Sequence, residues 1–252
     1  MDRIFLIGLL CLLFGAHSVS ATAFDDANRQ FKNGDFAGAA SSYEKILSTE
    51  GPRAAVFYNL GNSYLSTKQY GRAILAYERA RLLTPRDPDL SANLALARKA
   101  ATAFDESGRN PYLDVVIHYL SRNEWSWLVA GASLFICGIV FACGVMKSSQ
   151  QVRISALILS GGAAIGIVAG ATVLYLRRDE GKRGIILAEN AKVLLSPFES
   201  AESLGTPGQG RKVMMGAKSG DFRYIEVPGS NLCGWLACKD VGQITPEDGE
   251  RP

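Results

Sequence analysis

The spacing of apolar positions changes character along the chain, and each change marks a different kind of element. From Phe24 to about Lys99 apolar residues recur at helical intervals. From Trp125 to Met146 and from Ile154 to Leu176 there is no charged side chain at all. A helix over either run rises about 33 Å, enough for a hydrocarbon core of about 30 Å. The spacing therefore predicts transmembrane helices over 125–146 and 154–176, forced into an antiparallel pair by the short link Lys147–Arg153. Two crossings return the chain to the side it left. From Gly184 to Ile244 the apolar runs are short and broken by Gly, Pro, Ser and Asn, the signature of β-strands and turns.

The second membrane run carries Gly162, Gly166 and Gly170 at intervals of four. Such a small-residue stripe lets a helix backbone approach closely. Two packing partners fit: the first helix, through Gly138 and Ala142, or a helix of another protein.

The first helical region repeats itself every 34 residues. Asn28 falls on Asn62, Phe36 on Tyr70, Ala39 on Ala73, Tyr43 on Tyr77, Glu44 on Glu78 and Lys45 on Arg79. Phe57, Leu60, Gly61 and Tyr64, followed by Ala73, Tyr77, Ala80 and Pro85, closely resemble the tetratricopeptide repeat. Gly61 and Ala73 are small where two helices cross, and Pro85 ends the second helix because it has no N–H. A third unit opens at Pro88, with Asn93, Leu94 and Ala95 in register with Asn59, Leu60 and Gly61; lacking a second helix, it is expected to cap the stack. The repeat domain is placed at 24–107. The resemblance implies a groove lined by first helices that takes extended peptides. Asn28, Asn59, Asn62 and Asn93 recur there in two register pairs. An amide can donate to a peptide C=O and accept from its N–H. The stretch 108–124 is amphipathic through Tyr112, Leu113, Val116, Ile117 and Leu120. It either completes the stack or lies on the membrane surface ahead of Trp125 and Trp127, which read as interfacial anchors.

Met1 to Ala23 reads as a secretory signal: Arg3, an apolar core from Ile4 to Phe14, and small residues at Ala21-Thr22-Ala23, with Val19-Ser20-Ala21 as a second cleavage option and a retained anchor as the alternative. It sends the repeat domain out of the cytoplasm. The basic cluster Arg177, Arg178, Lys182 and Arg183 argues the opposite orientation; the reading follows the signal, because a translocated repeat domain sets the direction before that cluster is made. Charge is balanced, with 12 Lys/Arg against 11 Asp/Glu from Phe24 to Ser121, which gives nucleic acid no footprint. His118 is the single histidine after the signal, read as interfacial rather than catalytic.

Five strands are expected in the last region, at Ile185–Leu187, Lys192–Leu195, Val213–Met215, Phe222–Val227 and Cys233–Ala237. Ala191-Lys192-Val193, Ser196-Pro197, Gly220-Asp221-Phe222 and Gly234-Trp235-Leu236 resemble the bacterial SH3-like domain, placed at 184–244. The sequence departs from that pattern at Leu195 and Phe198, apolar around the proline, and at Phe222 where Trp is common. Trp235 is expected in the core. Cys233 and Cys238 can form a disulfide only if the chain turns between them, since five residues of straight strand part them by about 16–17 Å. The tail 245–252 is acidic and expected to be disordered.

No nucleophile elbow, phosphate loop, zinc helix or dinucleotide fingerprint is present. No enzyme activity, metal or cofactor is expected. The fold class expected is multidomain: an all-α tetratricopeptide-repeat solenoid, two transmembrane helices and a small all-β SH3-like barrel. That order, with the repeat at 54–87, the helix Asn93–Arg98, Asn123-Glu124-Trp125 before the membrane and Gly234-Trp235, resembles the BatE family of aerotolerance-operon proteins. The resemblance implies a non-enzymatic scaffold of the bacterial inner membrane, its soluble domains facing the periplasm and its role in oxidative or envelope stress. It also implies protein partners: von Willebrand A-type membrane proteins and a MoxR-type ATPase system. The alternative is a peptidoglycan-binding membrane protein acting through the SH3-like domain.

Overall fold

The structure is a computed structural model that describes residues 22–103, 116–145 and 149–245. All but the last two residues of the signal, the first half of the amphipathic stretch with Tyr112 and Leu113, and all but the first residue of the acidic tail lie outside the described residues. The chain forms two compact units. One is built from 1–108 together with 181–252, the other from 109–180.

The first unit begins with helices α1 (22–32), α2 (Phe36–Glu50), α3 (Ala54–Ser66), α4 (Tyr70–Leu83) and α5 (Pro88–Ala100). Local chemistry sets their ends. Gly34 and Lys68 take the left-handed conformation at the two inter-helix turns, with φ of 84° and 61°. Asp35 caps α2 by accepting from the Gly38 N–H at 2.9 Å. Asp87 caps α5 by accepting from Asp89 and Leu90, and Pro88 opens the helix where an N–H would have no partner. Within the second repeat the crossing is tight: a methyl on Gly61 would lie 2.5 Å from the Tyr77 ring. Among the described residues the array is two helix pairs and one further helix.

Seven antiparallel strands follow: β1 (Arg183–Ile186), β2 (Val193–Leu194), β3 (Ser203–Gly205), β4 (Lys212–Ser219), β5 (Phe222–Glu226), β6 (Cys233–Ala237) and β7 (Val241–Gln243). They form one sheet in the order β3-β2-β6-β5-β4-β1-β7. The expected number was five. The two additional strands are three-residue edges containing Gly205 and Gly242, too short to show a period of two. Ile186, Ala191, Val193, Val213, Ile225 and Leu236 share one core. Trp235 is not among them: it is half-buried and meets Tyr224 edge-on at 5.6 Å, on the opposite face of β6 from buried Leu236. The expectation of a core tryptophan is corrected. Cys233 and Cys238 are free thiols. Cys233 opens β6, and Cys238 lies just past its far end in a 3-10 turn.

The sheet packs directly on α4. Ile185 and Ile244 belong to the same apolar core as Ile74, Leu75 and Tyr77. Backbone approaches backbone so closely that a methyl on Gly71 would lie 2.5 Å from the Ile186 carbonyl oxygen and 2.7 Å from that of Leu187. A methyl on Gly242 would collide with Leu75. Arg79 donates to the Gln243 carbonyl at 2.8 Å. At the centre of the joint, Glu78 on α4 is fully buried and meets Arg81 at 2.7 Å, Lys212 of β4 at 3.3 Å, and Arg98 of α5. Burial alone pushes a carboxyl up, but Arg81, Lys212 and Arg98 outweigh it and hold Glu78 far below the usual carboxylate range.

The second unit holds α6 (Arg122–Val145) and α7 (Gln150–Leu176), two helices long and apolar enough to cross a membrane. Both start ahead of their charge-free runs because a serine caps them. Ser121 and Glu124 form a reciprocal capping box, with N–H donations of 2.7 and 3.2 Å, and Ser149 caps α7. Large apolar side chains point away from the chain, with Leu134 73% and Leu157 72% exposed. The two helices are therefore not core helices within this chain. Their less exposed residues define the seam. On α6 they include Trp125, Val129, Ala132, Ser133, Ile136, Ile139 and Cys143, and on α7 Ala156, Ser160, Ala163, Ile167, Gly170, Val173 and Leu174, of which Gly170 and Val173 are buried. They recur at intervals of three and four, the spacing of two helices crossing at a shallow angle. Of the glycine stripe, one member lies in this seam within the chain. Gly170 packs, with Val129 2.6 Å from where a methyl would stand, but Gly162, Gly166 and Gly138 have nothing within 4 Å. A step of four drifts off a seam that averages three and a half. At the base of the hairpin, buried Arg177 donates to the carbonyls of Ile117 and Leu120 at 3.4 and 2.9 Å and to Glu180 at 2.9 Å, and His118 lies 2.9 Å from the same carboxylate.

Glu78→Gln should lower the stability of the full chain at neutral pH by about 3–5 kcal/mol, because three cations lose their shared anion. The folded-state pKa is depressed. The contribution is therefore complete above the unfolded value near 4.5 and is lost as pH falls through the folded value. Urea titrations in detergent, read by Trp235 fluorescence with Trp125 and Trp127 replaced by Phe, should show the gap between wild type and variant closing below about pH 4.5. A gap unchanged by acid would sink this account of the joint.

Candidate protein-binding groove

Helices α1, α3 and α5 are the first helices of their units, and the four asparagines stand on them half-buried. They form a ladder. Asn59 donates from Nδ2 to Asn28 Oδ1 at 2.9 Å, and Asn93 donates from Nδ2 to Asn62 Oδ1 at 3.0 Å. The second helices supply the other rungs: the Tyr43 hydroxyl donates to Asn28 Oδ1 at 2.6 Å and the Tyr77 hydroxyl to Asn62 Oδ1 at 2.7 Å. Both pairs obey the 34-residue register, so each repeat ties its own two helices together and then ties itself to the next.

A second periodic contact lies further along the helices. Tyr64 donates to Glu44, and one period later Arg98 donates to Glu78. Burial, reinforced by the Glu44 carboxylate, pushes the Tyr64 phenol up to about 12, and burial likewise raises Tyr43 and Tyr77. All three phenols therefore stay protonated and remain donors across the physiological range.

A cavity of about 220 Å³ opens on this face, lined by Asn28, Phe31, Lys32, Tyr43, Asn59 and Asn62. The ladder leaves polar atoms facing outward: among the described residues, Nδ2 of Asn28 and of Asn62 and Oδ1 of Asn59 and of Asn93 make no hydrogen bond. Donors and acceptors thus alternate along α1, α3 and α5. That pattern fits the N–H and C=O groups of an extended chain, while Lys32 and Phe31 add one charge and one apolar contact. The register of the asparagines was readable in the sequence; their pairing with Tyr43 and Tyr77 was not, although the recurrence of an Asn–Tyr offset of 15 in both repeats carries it. Phe31 and Lys32 give no periodic signal. Among the described residues no group of His, Cys, Asp and Glu is gathered as a metal site.

Residues 54–87 match the family model of the tetratricopeptide repeat, which are the second helix pair and the turn after it. No curated protein matches the chain. The chain therefore carries a tetratricopeptide repeat, a class of module that mediates contacts between proteins.

The ladder makes two neighbouring asparagines unequal. Asn59→Ala removes one donor and leaves Asn28 Oδ1 with the Tyr43 hydroxyl. Asn62→Ala leaves the buried Tyr77 hydroxyl without its acceptor, at a cost of about 1–3 kcal/mol. Thermal unfolding of the two variants should rank Asn62→Ala clearly below Asn59→Ala; equal midpoints would contradict the network.

Proposed function

We propose that the chain is a non-enzymatic scaffold of the bacterial inner membrane, similar in plan to BatE-like aerotolerance proteins. Its α1–α3–α5 face holds an extended segment of a protein partner. In this reading α6 and α7 span the bilayer, the sheet is an SH3-like barrel, and the first unit faces the periplasm. The resemblance names the partners: von Willebrand A-type membrane proteins working with a MoxR-type ATPase.

One observation carries the proposal. The sheet docks on α4, the second-helix side, and the cavity at Asn28, Asn59 and Asn62 stays open on the other. The shared core of segments before and after the hairpin also demands that both lie on one side of the bilayer, which two crossings provide. A photo-crosslinking residue at Lys32, in the cavity wall, should capture a specific membrane protein in cells, and capture should fall in an Asn59→Ala background. The same probe at exposed Ser41 of α2 should not capture it. Equal capture from both positions, or none from Lys32, ends the groove reading.

The half-buried pair Tyr224 and Trp235 favours a second reading, in which the sheet binds peptidoglycan through an aromatic face. Purified full-length protein would then be retained on isolated cell wall, and Trp235→Ala would release it. Retention that survives the substitution, or no retention at all, removes this reading.

A further inference from the structure

On α3 the positions that face the next helices of the stack are filled. The Tyr77 ring packs where a methyl on Gly61 would stand, and Asn93 donates from Nδ2 to the Tyr58 hydroxyl at 2.9 Å and to Asn62 Oδ1 at 3.0 Å. One period of 34 residues later the same positions fall on α5 as Ala92, Ala95 and Leu96. All three are exposed, Leu96 by 55%. A stack of repeats in water closes with a polar outer face. The centre of this one is apolar. Beyond α5 the described chain turns away from it: Thr102 takes the left-handed conformation, with φ of 52°, and buried Ala103 joins the core of Ile74, on the side of α4 and the sheet.

The bare face complements itself. Asp89, Ala92, Leu96 and Lys99 are exposed and step by three, four and three. They therefore form one line along α5, on the side opposite buried Leu90, Leu94 and Ala97. Turned end for end, the line matches its own copy. Asp89 meets Lys99 and Ala92 meets Leu96, acid on base and small on large. An acid in the first turn and a base in the last suit the helix's own ends. That does not require both to stand on the exposed line, one on each side of an apolar centre. Among the described residues neither the Asp89 carboxylate nor the Lys99 ammonium forms an ion pair.

We propose that two copies of the chain associate through α5, packed antiparallel about a two-fold axis, with Ala92 and Leu96 at the centre and Asp89–Lys99 pairs at both ends. One helix from each copy makes a small interface, so the dimer dissociates on dilution. An axis normal to the helix pair keeps corresponding flanks on one side, and Asn93 of both copies then stands on the same side of the joint. The asparagine face of one copy runs on into that of the other. The association itself does not rest on the groove reading.

The test is sedimentation equilibrium of the full chain in a density-matched detergent, with Asp89→Lys, Lys99→Asp and Leu96→Asp variants. All three positions are exposed, and circular dichroism checks each fold. The wild type should dimerise as its concentration rises. Asp89→Lys puts a base at both ends of the line and Lys99→Asp an acid at both, so each alone should self-associate about tenfold more weakly. Mixed in equal amounts, the two variants restore both ion pairs, and the mixture should associate with an affinity close to wild type. Leu96→Asp should abolish dimers. The mixture decides, because its recovery requires both variants to be folded and the helices to be antiparallel. A chain that stays monomeric at every concentration overturns the proposal. A dimer indifferent to all three substitutions is built elsewhere, as by Gly162 and Gly166 of α7, and also overturns it. A mixture no tighter than its components overturns the antiparallel pairing.

Discussion

Everything in the first unit depends on the docking of a β-sheet against one helix, α4. Stacked repeats need neighbours to bury their outer faces. Among the described residues the third repeat has no second helix to shield α4. The sheet takes that role. Helix α4 is consequently buried almost all round, from Ala73 through Glu78, with α3 and α5 on one side and β1 and β7 on the other. Such a joint has no slack. Gly71 is required because backbone stands where any side chain would go, and Glu78 is tolerated without water because Arg81, Arg98 and Lys212 surround it. Replacing such an ionic cluster by apolar residues costs little in general, but removing one member costs much. The cluster thus fixes which surface meets which more than it adds to stability.

Docking on the second-helix side also decides what the first-helix side can do. The asparagine ladder is stitched by tyrosines that never ionise at physiological pH, so the face is rigid before any partner arrives. A pre-ordered polar face loses less entropy on binding than a mobile one. Lys32 and Phe31, at the end of α1, add one charge and one apolar surface to the wall of the cavity.

Much of this was legible in the sequence, and the reasons differ by element. The helical repeat was readable because the positions that recur, Tyr43 and Tyr77 or Gly61 with its facing ring, are those that close packing dictates. The two long apolar helices were readable from the absence of charge, but not the seam between them. A run that is apolar on every side carries no periodic contrast that would mark the side facing the other helix. The edge strands β3 and β7 escaped because three residues cannot display a period. The docking surface was written in the differences between the repeats rather than in their likeness. Where the first repeat has Ala37, Ala40 and Ser41, the second has Gly71, Ile74 and Leu75. In the first set Ala37 and Ser41 are exposed and only Ala40 is buried. The second has lost the one side chain that would clash and gained two that the sheet covers.

The shared core has a consequence for the order of assembly. Ile185 and Ile244 join the apolar cluster of Ile74 and Tyr77, yet the whole of α6 and α7 lies between them in sequence. Closing a loop of that length carries an entropic cost that grows only logarithmically. Ile74 and Leu75 are therefore covered only once the strands after Arg183 have been made and have returned to α4.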